Sequence, residues 1–113
     1  VKACGFKPDI IHCNDWQTGL IPVYLKTIYK DAFPKTATLM TIHNLGYQGI
    51  FNQSDMPLTG LRSEMFRNNE LNFNGKINFL KAGLLFADII TTVSKNYAKE
   101  ILTPEYGCGL DEI

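Results

Sequence analysis

Two short apolar runs, PDIIHCNDW at residues 8–16 and TLMTIHN at 38–44, each stop abruptly at polar side chains, and this feature constrains the fold most. Ile10-Ile11-His12-Cys13 is short and apolar, the composition of a strand covered on both faces in a parallel sheet. Thr38 to His43, rich in threonine and aliphatics, reads as a second strand. Between them Trp16, Leu20, Val23, Tyr24 and Ile28 recur at helical spacing, which predicts a helix from 17 to about 30 with one buried stripe. Pro22 sits close enough to its start to be tolerated. Strand, helix, strand in so short a span is a βαβ unit, right-handed in nearly all proteins, with its two strands parallel. Asn14-Asp15 and His43-Asn44 then leave the sheet on one rim, at the carboxyl ends of the strands, where open α/β sheets bind ligands.

Downstream, residues 45–75 carry Gly46, Gly49, Gly60, Gly75, Pro57 and many amides, so no period is sustained. A connection this long in a compact domain is usually functional. Ile77, Leu80, Lys81, Leu84 and Leu85 restore helical spacing up to Ala87. Asp88 to Val93 is a third strand, and Ser94 caps a helix over 96–102 that ends before Pro104. Tyr106-Gly107-Cys108-Gly109 is expected to be flexible and exposed. The fold class expected is α/β, a Rossmann-like parallel sheet with flanking helices. With 45% hydrophobic residues in 113, one core suffices, burying roughly 65% of the unfolded surface.

Lys plus Arg and Asp plus Glu number 11 each, so no charge excess points to nucleic acid or an anionic membrane. Three cysteines without a C-x-x-C spacing argue against a disulfide framework or a structural zinc site and fit a reducing, cytoplasmic setting. Cys13 reads as a small buried thiol rather than a nucleophile. No apolar run approaches the ~20 residues that span a bilayer. Cys4-Gly5-Phe6-Lys7-Pro8 reads as the end of a helix and a turn, and Leu110-Asp111-Glu112-Ile113 lacks a closing element, so a fragment of a longer protein is expected, with strand edges that invite self-association.

Asp15 and His43 are the leading chemical candidates: a carboxylate and an imidazole on neighbouring strand ends suit sugar hydroxyls or proton transfer near neutral pH. Two readings stay open, because Asp15 could instead cap the helix that follows and His43 could satisfy a loop. Asn44, Tyr47 and Gln48 add donors, acceptors and an aromatic face beside His43, a mixture suited to carbohydrate. The glycines around them are equally explained by positive φ angles in a turn. Asn72-Phe73-Asn74-Gly75 reads first as a turn and second as a ligand loop. His12 is expected in the core, Trp16 is expected to pack, and Lys81 is expected to reach water or an anion. No phosphate-cradling glycine loop, dinucleotide fingerprint or nucleophile elbow occurs.

Three segments taken together, HCNDWQTGLIPVYL, TIHNLGYQGIF and NGKINFLKAGLLFADIITTVSKNYAKEILTPEYGCGLD, resemble the glycogen and starch synthases of glycosyltransferase family 5 over nearly the whole chain. The resemblance implies a GT-B enzyme of two Rossmann-like domains, of which residues 1–113 correspond to part of the N-terminal one. The C-terminal nucleotide-binding domain and the lysine-glycine-glycine-leucine donor loop have no counterpart here. It further implies retaining transfer of glucose from ADP-glucose, a substrate rather than a cofactor, to the non-reducing end of an α-1,4-glucan, with no required metal. By the same resemblance, His43 corresponds to the family's active-site histidine against the transferred glucose. Asp15 corresponds to a cleft aspartate, Asn74 to an asparagine near the sugar, and Tyr47 and Gln48 to pocket residues. Lys95, Asn96 and Glu112 depart from the family's usual proline, threonine and glycine, outside the proposed pocket. The rival readings are a module of another GT-B enzyme and a non-catalytic Rossmann-like binding domain.

Overall fold

A computed structural model describes residues 2–113. The described residues form six strands, β1 (Ile10–Asn14), β2 (Ala37–Ile42), β3 (Ile50–Asn52), β4 (Asn72–Phe73), β5 (Lys76–Asn78) and β6 (Ile89–Thr92). The helices are α1 (Leu20–Lys26), α2 (Glu64–Arg67), α3 (Phe79–Phe86) and α4 (Lys95–Glu100), with tighter 3-10 turns at Lys2–Cys4, Trp16–Thr18 and Gln53–Thr59. β1, β2 and β6 make a parallel sheet in that order, with Asn14 opposite Thr41 and Ile42 opposite Thr92. The anticipated βαβ unit is therefore present, and its strand ends share one rim.

Period-two alternation decides what the sheet buries. Cys13, Met40 and Ile42 point to one face and pack with Leu45, Leu80, Leu84 and Leu110. Ile10, His12, Asn14, Ile89 and Thr91 fall on the other face and are exposed. The expectation of a strand covered on both faces is thus corrected: α1 and α3 lie on the same side, and nothing in the described residues covers the other. His12 is corrected for the same reason. It lies on the open face, with Nε2 2.7 Å from Thr41 Oγ1, which in turn lies 2.8 Å from Thr91 Oγ1.

The helix anticipated over 17–30 is shorter and broken. Trp16–Thr18 is a 3-10 turn, and α1 ends at Lys26, where Thr27 Oγ1 donates back to the Val23 carbonyl at 2.7 Å and competes with the helical ladder. Ile28 lies beyond that end and is exposed. Gly19 is required by proximity, because a Cβ there would stand 2.2 Å from the Phe79 carbonyl oxygen; facing it, a Cβ on Gly83 would stand 2.9 Å from the Gly19 backbone. α1 and α3 cross at this pair of glycines.

Residues 45–78 hold an antiparallel sheet in the order β3-β5-β4 that lacked a sequence signal. Its one legible piece is the Asn74-Gly75 hairpin, where φ values of 53° and 78° match the positive-φ pair of a tight two-residue turn. β5 also takes Ile77 out of the helix expected there: α3 starts at Phe79, and the Asn78 side chain accepts the Lys81 N–H. A second core beneath this sheet gathers Val23, Leu71, Ile77 and Ala82.

Candidate active site

β1 ends at Asn14 and β2 at Ile42, so the parallel register brings Asp15 and His43 side by side. Both carboxylate oxygens of Asp15 are engaged: Oδ1 accepts the His43 backbone N–H at 2.7 Å and Oδ2 lies 2.9 Å from His43 Nδ1. Acceptor oxygens on that side require Nδ1 to carry the proton, which leaves Nε2 as the ring atom available to a ligand. Asp15 makes no side-chain bond to the turn that follows it, so the helix-cap reading is corrected. Instead Thr18 Oγ1 closes that turn, accepting from Asn14 N and donating to the Asn14 carbonyl. The imidazole remains half exposed.

Asp15 and its neighbours Trp16 and Gln17 line a concavity of about 310 Å³ together with Asn44 and Tyr47 from the loop after β2. His43 stands beside it, held on Asp15. Asn44 Oδ1 accepts the Gly46 N–H at 3.0 Å, folding the loop back so that Tyr47 projects, 69% exposed. Trp16 both packs and lines: its ring lies 5.8 Å from Phe51, and it presses so closely on Gly49, at φ 64°, that a Cβ there would be 2.3 Å from the indole. Among the described residues, no lysine or arginine lines this concavity.

Two sequence candidates lie elsewhere. Gln48 is buried, with Oε1 accepting from Asn78 Nδ2 at 2.6 Å and Nε2 donating to the Cys108 carbonyl at 3.1 Å; its amide fastens the loop from below. Asn74 is exposed at the hairpin tip and lines a separate hollow of about 510 Å³ that Lys81 shares. Lys81 itself does not reach out for an anion. Its Nζ donates to the Asn69 and Asn72 carbonyls at 2.8 and 2.6 Å, and burial pushes its pKa down. Cys13 is buried beneath the rim, and desolvation pushes its thiol up, which disfavours a nucleophile. Among the described residues, no three His, Cys, Asp or Glu side chains gather as a metal site.

Sequence reasoning missed the supports behind the loop. Thr92 Oγ1 donates to the Ile42 carbonyl at 2.6 Å, and the Tyr97 hydroxyl accepts the Leu45 N–H at 2.9 Å. Their signal is position, at and just past the end of β6, the parallel strand that neighbours β2.

Comparison with known proteins decides the family, since the profile described as "Starch synthase catalytic domain" matches residues 1–113. The chain belongs to this family. It is 61% identical to the glycogen synthase of Thermodesulfovibrio yellowstonii over 114 residues, covering 99% of this chain and 23% of that protein. It is 57% identical to the glycogen synthase of Thermosipho africanus, covering 100% and 24%. A solved structure, the catalytic domain of Starch Synthase IV from Arabidopsis thaliana bound to ADP and acarbose, superposes with a TM-score of 0.88 at 33% identity, covering 96% of this chain and 23% of that one. The chain thus spans about a quarter of the length of the family members it matches.

Proposed function

We propose that this chain supplies one wall of a retaining glucosyltransferase site, in a protein that moves glucose from ADP-glucose to the non-reducing end of an α-1,4-glucan. The observation that carries this reading is His43 held by Asp15 at both its backbone N–H and ring Nδ1, at the carboxyl-end rim of the parallel sheet in a starch synthase family chain. Relatives named glycogen synthase and a structural neighbour bound to ADP, the leaving group of such a donor, support it.

In the proposed reaction the glucosyl carbon gains positive charge as its bond to the diphosphate lengthens. Nε2 of His43, with its proton partner fixed by Asp15, orients a hydroxyl of the transferred sugar, while Asn44 and Tyr47 hold the ring's polar edge and apolar face. The gain is positional and electrostatic, from groups set before the substrate arrives. A concavity of about 310 Å³ lies at the lower bound of small-ligand sites, which run roughly from 300 to 1,000 Å³. With no cation in its lining it has nothing to offer a departing diphosphate. The remaining contacts belong to the rest of the full-length protein, in the cytoplasm, without a metal or a further cofactor. The 113-residue chain by itself therefore does not transfer glucose.

The test is incorporation of labelled glucose into glycogen by the full-length enzyme, comparing ADP-glucose with UDP-glucose and wild type with His43→Ala. Loss of turnover by about 10²–10³-fold is expected, the range for removing one preorganised electrostatic contact. Near-normal activity would leave His43 a structural residue, and turnover by the isolated chain would refute the half-site.

A further inference from the structure

We propose that Tyr97 is a positioning residue for His43, an inference that rests on the glucosyl-transfer reading above. The loop that carries His43 leaves β2 and is tied on two flanks. On the β1 flank Asp15 takes the His43 N–H. On the β6 flank Thr92 Oγ1 donates to the Ile42 carbonyl at 2.6 Å and the Tyr97 hydroxyl accepts the Leu45 N–H at 2.9 Å. Peptide groups on both sides of His43 are therefore held by side chains from the neighbouring strand unit, some 50 residues further along the chain.

Tyr97 is itself fixed. It sits in the first turn of α4, and its own backbone N–H donates to the capping Ser94 Oγ at 3.0 Å. The phenol thus reaches back from a capped helix end to a loop whose Leu45 side chain is sunk in the core. No other acceptor for the Leu45 N–H is present among the described residues. Without the hydroxyl, that N–H turns to water and the loop relaxes two residues away from the imidazole. Active-site groups must hold their geometry to about 0.5 Å, and a misplacement of 1 Å can cost about 10²-fold in rate. Tyr97 touches no reacting atom in this scheme and acts only through the loop.

The experiment uses the full-length enzyme with Tyr97→Phe, which removes one oxygen and keeps the ring, and with Ser94→Ala, which loosens the same helix end. Both variants should lower kcat, Tyr97→Phe by about tenfold, with KM for ADP-glucose changed less than about twofold; the melting temperature should stay nearly unchanged for Tyr97→Phe and fall modestly for Ser94→Ala, which loses a helix cap. Leu45 amide hydrogen exchange should accelerate in both. His43→Ala is run in parallel. If His43→Ala keeps wild-type turnover, the glucosyl-transfer reading falls and Tyr97 falls with it. If His43→Ala is inactive while Tyr97→Phe keeps wild-type kcat, only the positioning role is overturned. Equal losses of kcat and melting temperature would also overturn it, because they report general unfolding.

Discussion

Asp15 holds a backbone conformation, φ 56° and ψ −177°, that side-chain-bearing residues avoid and glycine accepts. Such a residue costs about 1–3 kcal/mol, and what the chain obtains is a carboxylate turned to meet the backbone N–H and ring Nδ1 of His43. Asp15→Gly and Asp15→Ala should therefore differ in stability while both lose activity. The glycine variant should be the more stable by about 1–2 kcal/mol in urea denaturation, and equal midpoints would show that the conformation is unstrained. Asp15→Asn tests the carboxylate separately. Its NH2 group would face Nδ1 and favour the opposite imidazole tautomer, so turnover should fall by about 10²–10⁴-fold with little change in stability, and nitrogen NMR of His43 reads the tautomer directly. Asp15 and His43 were legible because each directly follows a strand whose partner could be inferred. Gln48 was not, because its burial is decided by Asn78 and the Cys108 carbonyl, 30 and 60 residues away.

At the scale of elements, the parallel strands were readable from their composition, whereas helix lengths were not. The stripe from Trp16 to Ile28 has helical spacing, yet its first turn is 3-10 and α1 stops at Lys26, while Gly19, helical at φ −59° and ψ −28°, leaves the space that the α3 backbone fills. That contact predicts its own test: Gly83→Ala forces two backbones apart and should destabilise the chain by about 1–3 kcal/mol, the usual cost of overpacking. Circular-dichroism melts of the variant check it, and an unchanged transition would mean that the helices separate without penalty. Lys81 gives a second test in the same element. Its ammonium joins α3 to the carbonyls of Asn69 and Asn72, a role invisible to periodicity because both partners are main-chain atoms. Lys81→Met keeps the stem but removes a charged donor from two part-buried carbonyls, and a hydrogen bond to a charged group contributes about 1.5–3 kcal/mol. The loss should appear in urea denaturation, and a methionine variant as stable as wild type would show that water reaches those carbonyls.

At the scale of the whole molecule, the sheet is tied at its amino end as firmly as at the site. Asp88 receives Lys26 Nζ at 2.6 Å and the Thr38 N–H at 2.7 Å, and these contacts, Lys26 first, hold its carboxyl below the ordinary carboxylate range. A carboxyl depressed by folding stabilises the native state above its unfolded pKa, and that contribution fades as pH falls through the lowered value. Asp88→Asn should thus be less stable than wild type at neutral pH, with the gap closing in acid; a gap that is constant with pH would rule out the linkage. The open face of the sheet points to association. Ile10 and Ile89 are 63% and 59% exposed there, and among the described residues both β1 and β6 are unpaired edges. Apolar side chains beside free strand N–H and C=O groups form a template for pairing with a second copy. Sedimentation of the 113-residue chain should show mass rising with concentration. Ile10→Lys, which puts a charge on both the edge and the open face, should return it toward the monomer. If wild type stays monomeric throughout, this face is soluble as it stands and the exposed isoleucines carry no drive to associate.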